Sequence, residues 1–480
     1  MRPIRLALVL SGAAALAGCV VGPDYVPPTL SLPASFSEQT AQAGGAADLS
    51  RWWQRLGDLD LDGLIEAAVA GNLDVAEAKA RIQEARATYR QAGGALLPTL
   101  DAQASASRNR SGGLSTGGDA TYSQFQAGFD ASYEIDLFGA RRRGVEAAFY
   151  GLGAANEEMR ATLLTLIGDV ASNYVDARGF QARIALARRS ASSQRETAEL
   201  TRNKFEAGAV SALDVASAAG QASSTEANIP TLEIAYTEAV HRLSVLTGRA
   251  PRALAEQLEE AVAIPMPKAP VPTGVPADLL RARPDVRLAE RELAQSTALI
   301  GQAEAARYPS INLTGSIATS ALKVGDLANS SAIGWSIGPN LTLPLFNGGQ
   351  LAAAVEIAEA ERDQSYLAFR ASVLTALEDV ENALIALDRE RARYRSLKAS
   401  ATSFREAARL ARSLYDTGAS SFLDVLDAER SLYSAEDALI ESGVAITTDY
   451  IALNKALGGG WDGEVDMTLP ADMTAKAGES

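Results

Sequence analysis

Residues 350–417 read QLAAAVEIAEAERDQSYLAFRASVLTALEDVENALIALDRERARYRSLKASATSFREAARLARSLYDT, a stretch of 68 residues without glycine or proline. Alanine favours helix because it loses no side-chain entropy on becoming helical. As a single helix the stretch would be about 100 Å long, at about 1.5 Å per residue. Its apolar residues recur at heptad-like spacing, at Val373, Leu377, Val380, Leu384 and Leu387. A helix this long exceeds any single globular core, so the sequence predicts a coiled coil or a helical tube.

The landmarks of the chain occur twice, in the same order. In the first half they are Asp74, Pro98, Gly208 and Asp214, and 210 or 211 residues later they are Asp285, Pro309, Gly418 and Asp424. Each half closes on a Leu-x-Gly turn, at residues 246–248 and 457–459. The sequence therefore predicts an internal two-fold structural repeat, with units of about 200 residues that are far longer than the unit of a solenoid.

Proline marks the boundary between the repeats. We place repeat one at residues 59–250 and repeat two at residues 277–460, with a linker at 251–276 between them. The linker is rich in proline, which forbids helix and predicts an extended chain. Residues 461–480 then form a C-terminal tail.

Each repeat also contains two runs that alternate apolar and polar residues with a period of two. They lie at residues 99–107 and 124–137 in repeat one, and at residues 310–317 and 333–345 in repeat two. The clearest apolar face consists of Phe125, Ala127, Phe129, Ala131, Tyr133, Ile135 and Leu137. Such runs are what a membrane strand needs, with one face in lipid and the other in water. Residues 108–120 and 321–331, rich in serine and glycine, are the expected connecting loops.

Two arrangements of these four strands remain open from the pattern alone. They could form two hairpins of a soluble sheet, or they could form part of a membrane barrel. Four strands cannot close a barrel by themselves, so a barrel requires several chains.

The first residues have the pattern of an export signal. Arg2 and Arg5 precede an apolar run over residues 6–17 that is too short to span a bilayer comfortably. The run ends in Leu16-Ala17-Gly18-Cys19, which resembles a bacterial lipobox. The alternative is an ordinary signal peptide followed by an incidental cysteine.

The lipobox reading predicts a signal peptide at residues 1–18, and diacylglycerol and palmitate on Cys19, the only cysteine of the chain. Residue 20 is valine rather than the aspartate that usually retains a lipoprotein in the inner membrane, so we expect the outer membrane. Residues 19–58, with four prolines, predict an extended segment leading from the lipid anchor. No other segment is apolar for some 18 residues, so any further membrane crossing must be made by strands.

Composition excludes several other classes of protein. The formal net charge is −15, and no basic stripe is present to neutralise the phosphates of a nucleic acid. One cysteine and one histidine, His241, cannot form a Cys/His metal cluster. Motifs for a serine nucleophile or a phosphate-binding loop are absent from the sequence. We therefore expect no catalytic site, although paired carboxylates of a hydrolase are only disfavoured.

Five short motifs, in the order given, resemble those of the TolC-like outer membrane efflux proteins, in the lipoprotein branch that serves resistance-nodulation-division (RND) pumps. They are CVVGPDY at residues 19–25, YEIDLFG at 133–139, DLLRARPD at 278–285, LPLFNGG at 343–349 and LGGGW at 457–461. The resemblance covers nearly the whole chain after residue 18.

The resemblance implies a mainly α fold with membrane β structure. In that fold three protomers each contribute four strands to a 12-stranded β-barrel, which is continued by a long periplasmic α-helical coiled-coil barrel. In each repeat one long helix packs beside two shorter ones, which places helices at 139–206, 72–94 and 209–247, and at 350–416, 284–307 and 419–457. Pro230 should kink or divide the helix at 209–247.

The resemblance also implies a periplasmic gate and a docking site. Asp424 and Asp427 match the aspartates of the constricting acidic rings, and Tyr415 and Asp214 match residues of the latch that holds the gate shut. Gly208 and Gly418 match the tips where the adaptor docks. Ser420 stands where the family has a latch arginine, which leaves that ionic contact without a counterpart. The alternatives are a solvated helix face for the aspartates and helix punctuation for the glycines.

The implied function is the outer-membrane channel of a tripartite efflux system, a passive exit duct for drugs or other small molecules. The implied partners are two further copies of the chain, a periplasmic membrane-fusion adaptor, an inner-membrane RND transporter and outer-membrane lipid. No cofactor is expected besides the lipid on Cys19. The alternatives are the outer membrane channel of a type I protein secretion system and a non-conducting periplasmic scaffold lipoprotein.

Overall fold

The structure, a computed structural model, describes residues 20–29, 33, 36, 49–111, 120–268, 283–461 and 465–468. The predicted signal peptide, Cys19 and most of the predicted C-terminal tail lie outside these residues. Among the described helices, none combines the length and the apolar character needed to cross a bilayer.

Helices and strands follow the same order in both halves of the chain. After a short 3₁₀ helix at Trp52–Leu56, the first half contains α1 (Leu59–Gly71), α2 (Leu73–Gly94), β1 (Thr99–Ser111), β2 (Ala120–Ile135), α3 (Ala140–Glu206) and α4 (Ala212–Leu246). The second half contains α5 (Pro284–Ala305), β3 (Ser310–Ala321), two 3₁₀ turns (Val324–Ala328 and Ser330–Ala332), β4 (Ile333–Thr342), α6 (Gln350–Asp416) and α7 (Phe422–Ala456).

Matching helices of the two halves have equal lengths. The long helices α3 and α6 contain 67 residues each, α4 and α7 contain 35 each, and α2 and α5 contain 22 each. The long uninterrupted helix predicted from residues 350–416 is therefore confirmed as α6. The predicted starts at 209 and 419 were too early, because a turn of four residues, 207–210 or 417–420, precedes the N-cap of α4 and of α7 at Ser211 and Ser421.

The glycines of α3 do not break this helix because other side chains cover them. A Cβ at Gly144, Gly151 or Gly153 would lie only 3.3–3.4 Å from the side chain of Gln302, Gln295 or Arg291, all on α5. Glycine thus lets α5 approach α3 closely. This packing offsets the cost of about 1 kcal/mol that each glycine, compared with alanine, adds to helix formation.

Pro230 does not divide α4, contrary to one of the two outcomes expected for it. The helix runs through it from Ala212 to Leu246. Leu232, two residues later, is buried against Ile184 and Ala187 of α3. This tertiary packing holds the helix on both sides of the proline, at the cost of one backbone hydrogen bond.

The described chain forms two compact units, and each takes segments from both halves of the sequence. Unit one comprises residues 20–29, 82–156 and 288–370, and it includes the sheet. Unit two comprises residues 33, 36, 49–81, 157–268, 283–287, 371–461 and 465–468. These units are not the two predicted repeats, because each unit mixes both halves of the sequence. The repeat boundaries at 59–250 and 277–460 stay a prediction.

Unit two contains an aromatic core that the sequence pattern did not predict. Trp52 and Trp53 are each 1% exposed, and the ring of Trp53 stacks on Trp461 with 6.1 Å between centroids. A Cβ at Gly459 would crowd the Trp52 ring, so the glycines of the LGGGW motif allow this close approach. The expectation of an extended segment over residues 19–58 is thus wrong at Trp52–Leu56, where apolar burial favours a helical turn.

The proline-rich linker begins as a strap of turns held by two buried leucines rather than as an extended chain. Residues 251–258 form turns, and Leu254 and Leu258 are each 1% exposed. The buried guanidinium of Arg178 donates to the backbone oxygens of Leu258 and Glu260 and to Asp60 Oδ2. Residues 261–268, which include Pro265 and Pro267, form no helix, strand or turn.

In each half a bond joins the residue just before α2 or α5 to the end of the last helix. The side-chain amide of Asn72, which caps α2, donates to Leu246 O at 3.0 Å. In the second half Arg283 Nη1 donates to Ala456 O at 2.8 Å, just before α5 begins. These bonds satisfy carbonyls that the C-termini of α4 and α7 leave without intrahelical partners.

The four strands form one antiparallel sheet in the order β1-β2-β3-β4. The two predicted hairpins are joined through β2 and β3, in a register that places Phe129 opposite Ile317. In the β3–β4 pair, Ile317 lies opposite Trp335. Because side chains alternate between faces, this register brings the apolar residues of all four strands to one face.

Candidate functional site at the apolar sheet face and the helix tips

The apolar face of the sheet is largely exposed within the described residues. Six large apolar side chains on it are each more than half exposed, namely Leu100, Phe129, Ile317, Trp335, Ile337 and Leu341. The opposite face is polar, and there the Ser316 and Ser336 hydroxyls lie 2.9 Å apart while Ser132 Oγ donates to Asn312 Oδ1 at 3.0 Å. A sheet with one apolar and one hydrogen-bonding face is suited to separate lipid from water.

The outer strands of the sheet have free edges within the described residues. β1 pairs only with β2, and β4 pairs only with β3. Unpaired backbone groups on such edges are costly in a membrane, where no water can satisfy them. Any membrane location of this sheet therefore requires that another strand pairs with each edge.

The second candidate site is formed by the helix tips, the turns at residues 207–211 and 417–421. Gly208 and Gly418 both have a φ of 78°. The N–H of the next residue, Ala209 or Ala419, donates to the carbonyl five residues earlier at 2.8 Å, which is the Schellman end of α3 and of α6. A Cβ at either glycine would meet no atom within 4 Å, so only the backbone conformation requires glycine there.

Asp214 and Asp424 take equivalent positions in the first turns of α4 and α7. Each closes a capping box with the serine three residues earlier, Ser211 or Ser421. Asp424 Oδ2 accepts bonds from the Ser421 N–H at 3.0 Å and from the Ser421 hydroxyl at 2.8 Å. Both carboxylates thus have a structural role that is independent of any gate.

Ser420, which stands where the resemblance implied a latch arginine, is bonded to Asp424 in this chain. Its hydroxyl donates to Asp424 Oδ2 at 2.7 Å. Together with the bonds from Ser421, this bond lowers the pKa of Asp424 below its ordinary value. Asp424 is therefore held as a charged group at the tip.

Asp427 lies one helical turn after Asp424 and is also exposed. Within the described part of the chain it makes no hydrogen bond and no ion pair. The two carboxylates share one side of α7, since residues three apart are neighbours on a helix surface. The structure therefore brings these two predicted gate residues together.

Tyr415 is buried between two helical hairpins, one formed by α3 and α4 and the other by α6 and α7. Only 2% of its surface is exposed. Its hydroxyl lies 3.0 Å from Thr201 Oγ1. Lys204 Nζ lies 3.9 Å from the centre of the Tyr415 ring and donates to Tyr415 O. No hydrogen bond joins the two described residues Tyr415 and Asp214, because the Asp214 carboxylate is engaged by Ser211.

A polar cluster beside Tyr415 was missed by sequence reasoning. Arg412 Nη2 donates to Thr197 Oγ1 at 2.6 Å and lies 3.5 Å from the carboxylate of Glu429. The Thr197 hydroxyl donates to Glu429 Oε1 at 3.1 Å. Burial raises the pKa of Glu429, and Arg412 opposes this in part. No local pattern could reveal the cluster, because its members come from α3, α6 and α7.

The lipidation residue predicted from sequence, Cys19, lies outside the described residues. Its neighbours from Val20 onward are described, and they contact the end of β2 and the start of α3. The other predicted site residues lie at the helix tips, as the repeat alignment implied.

Comparison with known proteins agrees with this arrangement. The family model described as outer membrane efflux protein matches residues 64–249 and 275–459. Nodulation protein T of Rhizobium leguminosarum bv. trifolii is 40% identical over 451 residues, which are 93% of this chain and 96% of that protein. Outer membrane protein OprJ of Pseudomonas aeruginosa is 33% identical over 463 residues, with 94% and 95% coverage.

Solved structures show the same fold. The outer-membrane channel OprN superposes with a TM-score of 0.88 at 32% identity, covering 92% of this chain and 100% of that one. CusC superposes with a TM-score of 0.83 at 30% identity, with coverage of 92% and 100%. From the family match, these relatives and the shared fold, we conclude that the chain belongs to the outer membrane efflux protein family.

Proposed function

We propose that this outer membrane efflux protein is a passive exit duct for small molecules and works as a homotrimer. Three copies would join their four-stranded sheets edge to edge into a 12-stranded barrel, with the long helices continuing it as a periplasmic tube. The duct would be one part of a tripartite system, with a periplasmic adaptor and an inner-membrane RND transporter that supplies the energy. The proposal assigns no catalytic step and no cofactor to the chain.

The observation that carries the proposal is the four-stranded sheet with an exposed apolar face and two free edges. Lipid is the environment that would cover a row such as Phe129, Ile317 and Trp335 at least cost, since apolar surface in water is unfavourable. A barrel closed by neighbouring copies would satisfy the edges of β1 and β4. A non-conducting scaffold has no use for such a sheet.

The proposed gate is formed by the exposed carboxylates of Asp424 and Asp427. In a threefold assembly each would be present three times around the axis, where these side chains would constrict the path, so that replacing them with alanine would favour opening. Contacts between the hairpins, above all that of Tyr415 with Thr201, would oppose it. Cations would be attracted to the ring when the duct is open.

The relatives support an efflux role through what their names state. Outer membrane protein OpmQ of P. aeruginosa is named for pyoverdine export, and CusC of Escherichia coli for cation efflux. We propose that the same route serves this chain, and that the tips at Gly208 and Gly418 receive the adaptor. We also propose that diacylglycerol and palmitate on Cys19 anchor the protein in the outer membrane.

Planar-bilayer recording of the purified protein tests the proposal. We expect discrete channels from the wild type and a higher conductance or open probability in Asp424→Ala and Asp427→Ala. Protein that inserts into the bilayer but stays silent in all three forms would favour a scaffold. A channel that passes unfolded polypeptide in cells, with no efflux of small molecules, would favour protein secretion.

A further inference from the structure

The VGPDY motif that follows Cys19 lies against the junction where β2 ends and α3 begins. The Val21 N–H donates to Phe138 O at 3.1 Å. Gly139 has a φ of 85°, and a Cβ there would overlap Val20. Phe138 and Gly139 belong to the YEIDLFG motif, so two motifs that are more than a hundred residues apart in sequence contact each other directly.

A second backbone contact fixes the segment on its other side. Gly22 has a φ of 84°, and a Cβ there would overlap the Cα of Gly301 in α5. Any residue larger than glycine at position 22 or 301 would therefore push the N-terminal segment away from α5. The segment is thus held between the start of α3 and the end of α5.

Arg143 is the side chain that holds this segment. It is 3% exposed, and its Nε donates to Val21 O at 3.2 Å while its Nη2 donates to Gly22 O at 3.1 Å and to Asp24 Oδ1 at 2.8 Å. Its Nη1 donates to Glu146 Oε2 at 2.7 Å. A buried guanidinium is costly unless its donors are satisfied, and here the N-terminal segment satisfies most of them.

Of the three consecutive arginines at the start of α3, only Arg143 binds the described N-terminal segment. Three arginines in a row at a helix N-terminus oppose the helix dipole. The first, Arg141, pairs with Glu134, and the second, Arg142, pairs with Asp136 at 3.3 Å. Asp136 also accepts the backbone N–H groups of both and so caps α3. The third, Arg143, turns to the N-terminal segment instead.

The far end of the segment is fixed by Tyr25. Its hydroxyl donates to Glu290 Oε1 on α5 at 3.1 Å, and its ring lies edge-on to Tyr150 of α3 with 5.8 Å between centroids. Residues 20–25 therefore have fixed contacts at both ends and in the middle.

We infer that Val20–Tyr25 is a clamp that sets the level at which the lipid on Cys19 leaves the protein, with Arg143 as its positioning residue. This inference rests on the proposed lipidation. Cys19 is bonded to Val20, so its acyl chains must emerge beside Gly139, four residues after the last residue of β2. The lipid and the membrane strands then enter the bilayer at one level, as a single rigid unit rather than as a barrel with a loose tether.

The aromatic residues at this level agree with a membrane interface. The rings of Phe138 and Tyr308 stack with 4.7 Å between centroids, and Tyr308 lies two residues before β3 begins. Aromatic side chains with a polar end favour the boundary between lipid and water.

A crosslinking experiment tests the clamp. Cells are fed a fatty acid with a diazirine close to its carboxyl group, and the full-length protein is purified after irradiation. In the wild type we expect crosslinks from the acylated Cys19 to concentrate in residues 135–141 and 305–310. Mass analysis of the N-terminal peptide reports acylation separately.

Two variants break the link between lipid and clamp in different ways. Gly22→Ala disturbs the clamp itself, and a flexible Gly-Ser insertion of about six residues between Cys19 and Val20 leaves every clamp contact intact. Both should keep their acyl groups and lose most of these local crosslinks. Gly93→Ala is the matched control, because a Cβ there meets no atom within 4 Å. Arg143→Met should expose the Val21 amide to hydrogen exchange while α3 stays protected.

If crosslinks in the insertion variant concentrate in residues 135–141 and 305–310 as strongly as in the wild type, the clamp inference is wrong, since the lipid is then positioned without the clamp. An unacylated Cys19 in the wild type would overturn both the clamp and the proposed lipidation. Neither result would affect channel activity in bilayers, which tests the duct separately.

Discussion

The hydroxyl of Tyr415 lies 3.0 Å from Thr201 Oγ1, although 214 residues separate the two along the chain. The contact joins the last turn of α6 to the last turns of α3, and so it joins the helical hairpins of the two halves. Lys204, one turn after Thr201, reinforces it by lying over the Tyr415 ring. Tyr415, one of the two predicted latch residues, thus links the two halves of the chain at the tips, whereas Asp214, the other, is bonded to Ser211.

Removing either hydroxyl of this pair should loosen the tips. Thr201→Val leaves the buried Tyr415 hydroxyl without its partner, at a cost of about 1–3 kcal/mol. Tyr415→Phe should cost less, because the Thr201 hydroxyl still donates to Thr197 O. Each variant should raise the open probability in single-channel recordings. The double variant should cost less than the sum of the two, because neither group is then left without its partner. Strictly additive effects would show that the two hydroxyls act independently.

The capping boxes separate a structural role of the aspartates from a gating role. Asp214→Ala and Asp424→Ala should each destabilise the start of their helix by about 1 kcal/mol. Hydrogen exchange should rise in the first turn of α4 or of α7, respectively. If Asp424 also forms the gate ring, only its replacement should change cation selectivity. Equal changes in selectivity from both variants would contradict that assignment.

Glu429 should make the stability of the tips depend on pH. Burial raises its pKa above the ordinary glutamate value of 4.5, so the folded chain binds more protons than the unfolded chain just above that pH. Stability is then lost as the pH rises from about 4.5 through the raised pKa. Relative to Glu429→Gln, the wild type should melt at progressively lower temperature across this range.

Glu406 is the matched control for this pH dependence. It is exposed, and its bonds from Arg409 lower its pKa, so any contribution it makes is present above pH 4.5 and lost as the pH falls. Relative to Glu406→Gln, the melting temperature of the wild type should therefore rise with pH. This change should be smaller than the one for Glu429, since exposed pairs are screened by solvent. A wild-type curve parallel to that of Glu429→Gln would contradict the assignment.

Arg178 should determine whether the strap of turns in the linker stays in place. Arg178→Met keeps apolar volume but leaves the backbone oxygens of Leu258 and Glu260 without this donor. We expect a loss of about 2 kcal/mol or more in stability. Limited proteolysis should then cut within residues 254–266 faster than in the wild type. Arg252→Met, an exposed change in the same linker, should leave the cleavage rate unaltered.

Features encoded by short-range pattern were predictable from the sequence. The period of two located all four strands, and the absence of helix breakers located α6. Gly208 and Gly418 were predicted as helix punctuation as well as docking tips, and their left-handed φ of 78° agrees with the first. These properties depend on neighbouring residues along the chain, which a sequence shows directly.

Features that depend on distant residues were not predictable in this way. The pairing of β2 with β3, the cluster of Arg412 with Glu429 and the clamp on Arg143 each join segments that are far apart in sequence. Pro230 was expected to interrupt α4, and packing of Leu232 on α3 maintains the helix instead. Tertiary contacts outweigh local preference at such positions.

The most direct test of the account is single-channel recording of the purified full-length protein in planar bilayers. We expect cation-selective conductance steps, since Asp424 and Asp427 face solvent at the tips. Asp427→Ala should raise the open probability with no change in thermal stability, because Asp427 has no bonding partner among the described residues. Inserted protein that never conducts, with Asp427→Ala equally silent, would contradict the claim that copies of this chain enclose a water-filled path.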